Sequence, residues 1–196
     1  NPDKMEAEIE SPYILITDQM MIDANFAAHV LNLVKNNNRD SILFIVDDML
    51  QGALATVLIN LQRKNVYSDV IRAPAVEFRR LAMLDDIAVY TGGKVMSVHS
   101  GRMIKNTTLD DLGSANRVII HQNETIILGG VGSKEAVQNR VKQIQSELDR
   151  EESDFDKSLS SWDLAVLFFS FFSSLSFSSR SGLLLSPEPP PGMSAL

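Results

Sequence analysis

The stretch Ser41–Lys64, SILFIVDDMLQGALATVLINLQRK, decides the fold. Its first part, Ile42-Leu43-Phe44-Ile45-Val46, is a short run of β-branched, aromatic and aliphatic residues closed by two aspartates, which reads as a strand. The run does not alternate with polar residues, so both faces of the strand are buried, the pattern of a parallel sheet covered by helices. The part that follows, Leu50 to Arg63, is long enough for a helix and carries apolar residues at helical spacing. A strand followed by a helix is the repeating unit of an α/β layer structure.

The same alternation extends in both directions. Tyr13-Ile14-Leu15-Ile16-Thr17, Val66 to Ile71 and Arg117-Val118-Ile119-Ile120 read as further strands. Helices are expected over Phe26 to Lys35, Phe78 to Val89 and Ser133 to Arg150, the last with Val137, Val141, Ile144 and Leu148 on one side. Arg117 to His121 and Thr125 to Leu128, joined by Gln122-Asn123-Glu124, predict a hairpin, so the strand pairing is mixed. Gly92-Gly93 is placed as the C-cap of the helix ending near Thr91.

The chain has 196 residues, with 18 Lys and Arg against 25 Asp and Glu, for a net charge of −7. That balance argues against a partner recognised by its phosphate backbone, so no nucleic acid is expected. Hydrophobic residues make up 44% and charged residues 22%, the balance of a globular protein, and the length suits one well-buried core. With no Cys there is no disulfide framework, thiolate metal site or Cys nucleophile. The beginning, Asn1-Pro2-Asp3-Lys4-Met5-Glu6, has neither an apolar h-region nor an amphipathic transit pattern, and without an initiator Met it is read as a fragment.

After Lys157 the composition changes. Arg180, Asp163 and Glu188 are the only charges from Ser158 onward, and Ser, Leu, Phe and Pro dominate without a sustained period. Residues 158–196 are therefore expected to be a disordered low-complexity tail, and residues 1–157 the folded domain. The apolar run Leu164 to Phe177 is broken by serines and is shorter than the roughly 20 residues of a membrane-spanning helix, so no membrane partner is expected.

Catalytic signals are poor. His29, His99 and His121 have no second ligand at i+3 or i+4. The carboxylate pairs Asp47-Asp48, Asp85-Asp86 and Asp110-Asp111 read as helix caps and surface charges, with Asp47-Asp48 placed to cap the helix that follows. Gly129-Gly130-Val131-Gly132 precedes a helix but completes no phosphate-binding motif. The stronger feature is the apolar arc on two helices. Leu50, Leu54, Val57, Leu58 and Leu61 share one side while Ala55 and Ile59 fall toward the other, and Phe26, Ala27, Val30, Leu31, Leu33 and Val34 are similarly spread. An arc this wide exceeds the stripe of roughly 100° that a surface helix needs. Either both helices are sandwiched in the core, or they present an exposed apolar groove to another chain.

Spaced blocks along the chain resemble a family. Ser11-Pro12-Tyr13-Ile14-Leu15-Ile16-Thr17-Asp18, Ala53-Leu54-Ala55-Thr56 with Asn60, Ala73-Pro74, Arg79-Arg80, Ala82-Met83-Leu84-Asp85-Asp86-Ile87-Ala88, Thr91-Gly92-Gly93 and Thr108-Leu109-Asp110-Asp111-Leu112-Gly113 follow in order. With Thr125-Ile126-Ile127, Arg140-Val141, Gln143-Ile144 and Ser153-Asp154-Phe155-Asp156-Lys157, residues 1–157 resemble the apical domain of a group I chaperonin of the GroEL type. The resemblance implies a layered sheet-and-helix α/β domain with mixed strand pairing. It also implies a chaperone role, the binding of non-native polypeptides and of a co-chaperonin loop in an apolar groove between two helices. Carried over position by position, the groove falls on Leu31, Leu54, Leu58 and Ile59, with Asn60 and Arg63 at its polar edge, and with the smaller Ala28 at a position usually held by a larger aliphatic residue.

In full-length members ATP and Mg are held by an equatorial domain, and ring contacts join the subunits. The chain lacks the ATP-site motif, so no cofactor and no enzyme activity are expected of it, and ring-forming partners only in a full-length form. The family places it in the cytoplasm, or in the mitochondrial or plastid matrix of a eukaryote. Departures from the family are Asp47-Asp48-Met49-Leu50-Gln51-Gly52, and Ala75-Val76-Glu77 where Gly-Phe-Gly is usual. A small-molecule-binding α/β domain using the ends of its parallel strands is the competing function class.

Overall fold

Every side chain from Ile42 to Val46 is buried. The structure, a computed structural model, describes residues 6–74, 78–121, 124–150 and 174–178. Around the buried run lie β1 (Ala7–Glu10), β2 (Tyr13–Thr17), α1 (Ala24–Asn36), β3 (Ser41–Val46), α2 (Gln51–Gln62), β4 (Tyr67–Arg72) and α3 (Phe78–Thr91). Then come β5 (Val95–Met96), β6 (Gly113–Ile120), β7 (Glu124–Gly130), α4 (Lys134–Arg150) and β8 (Ser174–Ser178). The strands run β4-β3-β2-β6-β7-β8 across the sheet, with β5 also beside β2 and β1 also beside β6. β2, β3, β4 and β5 are parallel, while β6 meets β1, β2 and β7 antiparallel. This is the mixed α/β layer structure expected.

Side-chain alternation divides the interior in two. Ile14 and Ile16 of β2 and Leu43 and Ile45 of β3 point to one face, where they meet Leu84, Ile87 and Ala88 of α3 and Val118 and Ile127 of the hairpin. Leu15, Ile42, Phe44 and Val46 point to the other face, against Ala27, Val30, Leu31 and Val34 of α1 and Ala53 and Val57 of α2. Helices on both faces explain why these strands carry no polar alternation.

β2 has two neighbours on one edge. Tyr13 and Ile14 pair with Ser114 and Gly113 of β6, while Ile16 and Thr17 pair with Val95 and Met96 of β5. Before β2 the chain bends at Ser11, whose φ of 47 is a left-handed conformation, and its amide donates to the Asn116 carbonyl at 2.8 Å. Arg39 holds the bend by donating to Ser11 O at 3.0 Å and to Ser114 Oγ at 2.7 Å, with its guanidinium 4.7 Å from the centre of the Tyr13 ring.

α3 ends as expected. Gly92 takes φ 74, and the Gly93 amide reaches back to Ala88 O at 3.0 Å, the six-to-one bond of a Schellman end. The Gly129–Gly132 run is a packing feature: the Gly132 amide donates to Tyr90 O at 2.9 Å, and a Cβ on Gly130 would meet the Tyr90 ring at 2.8 Å. Two expectations need correction. Asp47 and Asp48 do not cap α2, whose N-cap is Leu50 without a side-chain bond; instead Asp47 pairs with Arg80 and Asp48 with Arg72. Within the stretch expected to be disordered, Ser174–Ser178 forms β8, antiparallel to β7; the other residues of 158–196 lie outside the described residues, as do 75–77. Among the described residues no helix is long and apolar enough to cross a membrane.

Asp111 closes the turn before β6. Its carboxylate accepts from the Thr108 amide at 3.0 Å and hydroxyl at 2.7 Å, and from Lys94 Nζ at 2.8 Å. Burial alone would raise its pKa, but the bonds from Lys94 and Thr108 and the Lys94 charge outweigh burial and hold it at about 2. The folded chain thus binds this proton more weakly than the unfolded one, so the group stabilises above the ordinary value of 3.8 and loses that effect as pH falls toward about 2. Asp111→Asn is expected to lower the denaturant midpoint at neutral pH, with the gap to wild type closing across that window.

Candidate polypeptide-binding surface

α1 and α2 lie side by side on the sheet face that Phe44 occupies. Asp23 starts α1 by accepting from the Asn25 amide at 2.8 Å. At the start of α2, the Leu50 amide donates to Met21 O at 3.0 Å, tying that end of the helix to the loop before α1. On α2 the inward positions are Ala53 and Val57, four residues apart and buried. One step of about 100° further round, Leu58 is 46% exposed, and so is Ile59. Leu54 and Leu61 are half-buried between these extremes. Of the two readings of the wide apolar arc, α2 follows the exposed one.

α1 does not. Leu31 is only 2% exposed and packs with Val30, Val34 and the α2 residues Ala53 and Val57, so its expected place in an open groove is corrected to the floor beneath it. The physical reason is spacing: Leu31 lies four residues from Ala27, on the side of α1 turned to the sheet. Ala28, half-buried, is the smaller side chain on this helix at a position where the resemblance implies a larger one.

The polar residues have mainly local partners. Asn60 donates from Nδ2 to Thr56 O at 2.8 Å and accepts from Asn65 Nδ2 at 3.3 Å. Arg63 is the C-cap of α2 and is exposed. Leu50, 42% exposed, extends the apolar row toward the helix start, and the exposed Ile22 follows Met21, whose carbonyl accepts from the Leu50 amide. Leu50 was within the apolar pattern, four residues before Leu54; Ile22 had no periodicity to reveal it.

Other candidate chemistry is accounted for. His29 Nε2 lies 2.9 Å from Thr107 O, a bond between α1 and the turn that follows Ile104. Among the described residues no group of His, Asp or Glu could hold a metal ion. At the ends of the parallel strands, Thr17 Oγ1 donates to Met96 O at 2.6 Å and Ser97 Oγ to Asp18 Oδ2 at 2.6 Å. With the Asp47–Arg80 and Asp48–Arg72 pairs, most of the polar groups there bond to one another; Asp18 Oδ1 is buried without a partner among the described residues.

No protein-family model matches the chain. Its fold is a chaperonin-like one. Among solved structures it is similar to the chaperonin of the Pseudomonas aeruginosa bacteriophage EL, with a TM-score of 0.60 at 14% identity over 91% of this chain. The chain spans 35% of the length of that chaperonin.

The burial pattern separates two leucines of like chemistry. Leu31→Ala should leave a cavity and lower stability by about 2–5 kcal/mol. Leu58→Ser should change it by no more than about 0.5 kcal/mol, as for other surface positions. Denaturant midpoints of the two variants measure the contrast.

Proposed function

We propose that residues 1–157 are a GroEL-type apical domain and act as a chaperone module, binding apolar segments of non-native polypeptides and a co-chaperonin loop on the outer face of α2. The observation that carries the reading is the exposed apolar row formed by Leu50, Leu58 and Ile59, with half-buried Leu54 between them, supported from beneath by Leu31, Ala53 and Val57. Adjacent exposed apolar side chains are the feature by which soluble proteins mark a surface for another chain. Asn60 and Arg63 border the row, and Arg63 offers its charge to a carboxylate or carbonyl of the bound chain.

The magnitudes suit weak, broad capture. Fully burying a large aliphatic side chain contributes about 1.5–3 kcal/mol. These residues are already partly covered, so each contributes less, and the row supplies only part of the roughly −8 kcal/mol of a micromolar affinity, the rest coming from polar and backbone contacts at its border. In this reading the chain supplies neither ATP hydrolysis nor an ATP or Mg site, and ring assembly and the ATP cycle belong to a full-length subunit. Its place is the cytoplasm, or an organelle matrix in a eukaryote.

Support also comes from the phage chaperonin whose fold it shares. The experiment is capture of a fluorescently labelled, chemically unfolded protein, read by anisotropy. Wild type should bind with micromolar affinity, and Leu58→Ser combined with Ile59→Ser should weaken binding by about tenfold, the equivalent of about 1.4 kcal/mol, while the denaturant midpoint holds. Unchanged capture by the double variant would overturn the assignment of the site.

Calorimetry provides a second check on the same reading. Titration of MgATP into the chain should give no binding heat.

A further inference from the structure

A second recess lies on the opposite side of the sheet from α1 and α2. There α3 packs over Ile14, Ile16, Leu43 and Ile45, and α4 is joined to α3 by the ion pair of Arg140 Nε with Asp86 Oδ1 at 2.6 Å. The facing sides of these two helices, together with the strand entry after Gly93, line a cleft of about 690 Å³. That volume lies in the range of small-molecule sites, roughly 300–1,000 Å³. Val89 and Val131 supply apolar wall, and Lys94, Arg102, Arg140 and Asp85 supply charge.

Three cations and one carboxylate line the cleft, in a chain of net charge −7. The cations are not equally engaged. Arg140 is held by Asp86 and Lys94 by Asp111 at 2.8 Å, whereas Arg102 is exposed and its guanidinium has no hydrogen bond or ion pair among the described residues. Asp85 stands at the exposed edge of the cleft, where partial burial raises its pKa even though Arg140 and Arg102 pull it down. A shaped recess with apolar walls, converging charged groups and a perturbed carboxyl has the makings of a ligand site.

We propose that this cleft binds a small amphipathic monocarboxylate, its carboxylate on Arg102 beside Arg140 and its short aliphatic body against Val89 and Val131. A guanidinium offers paired donors that match a carboxylate. With Asp85, Asp86 and Asp111 offsetting the three cations, the cleft gains little from a dianion over a monoanion, and the aliphatic contact decides between a carboxylate and a phosphate. The apolar walls select a ligand with an aliphatic body over a bare ion. The site is separate from the α2 row, so it stands or falls independently of the chaperone reading.

The test is titration of hexanoate, acetate and inorganic phosphate into the full chain, followed by amide NMR. Hexanoate should shift Gly93, Lys94 and Val131 and saturate at a dissociation constant of about 1 mM or tighter. Acetate and phosphate should bind at least about fivefold more weakly, lacking the buried aliphatic contact. Arg102→Ala should weaken hexanoate by about fivefold or more, with Arg102→Lys intermediate. Leu58→Ser should leave hexanoate binding unchanged. Shifts confined to α1 and α2, equal affinity for acetate, or full affinity in Arg102→Ala would each overturn the proposal. Failure to saturate with hexanoate would overturn it as well.

Discussion

β2 must be satisfied on every side at once. Its side chains are buried above and below, β3 takes one of its edges, and the other edge is divided between β6 and β5. An unpaired backbone amide or carbonyl in so dry a place would be costly, and each part of the divided edge supplies the partners the other does not reach. The division requires the entries to β5 and β6 to approach closely. A Cβ on Gly93 would stand 2.7 Å from the Gly113 Cα, closer than ordinary side-chain contact permits, so this crossing needs glycine. The left-handed end of α3 and the capped turn at Asp111 deliver the two strands to that crossing.

From this arrangement follows the placement of the surfaces. The parallel half of the sheet takes α1 and α2 on one face, and α3 covers the other. Nothing among the described residues forms a further layer over α2, so an apolar helix on the outside of the stack keeps part of its arc in solvent. Val57 and Leu58 are neighbours in sequence and opposites in environment because one helical step carries a side chain across the boundary of the layer.

Much of this was legible in the sequence where a long run of residues answered to one environment. Ile42 to Val46 read as a strand buried on both faces because two apolar layers meet there, and the four helices show the spacing that packing requires. β1 escaped notice since Ile9 is its only buried side chain, set between glutamates, and β5 is only two residues long. The Asp47 and Asp48 partners were hidden because Arg72 and Arg80 arrive from other elements. Leu31 shows the limit of periodicity, which finds an apolar face but does not say whether a neighbouring helix covers it. The α3–α4 cleft draws its charges from separate stretches of chain that fold alone juxtaposes.

The anchoring of α2 has a further consequence. Its underside is locked by Ala53 and Val57, its start is tied to Met21 and its end carries the Asn60–Asn65 link, so the backbone that displays Leu58 and Ile59 is held at both ends and along one side. Ile59, being β-branched, has few rotamers to choose from, whereas Leu58 has more freedom. Under the proposed function, a bound segment would meet a nearly fixed ridge and would itself lose the conformational entropy of fitting against it. On that proposal the surface would select partners by how readily they can be ordered: an already helical or extended segment with spaced aliphatic side chains would be favoured over an equally apolar segment that must first be straightened.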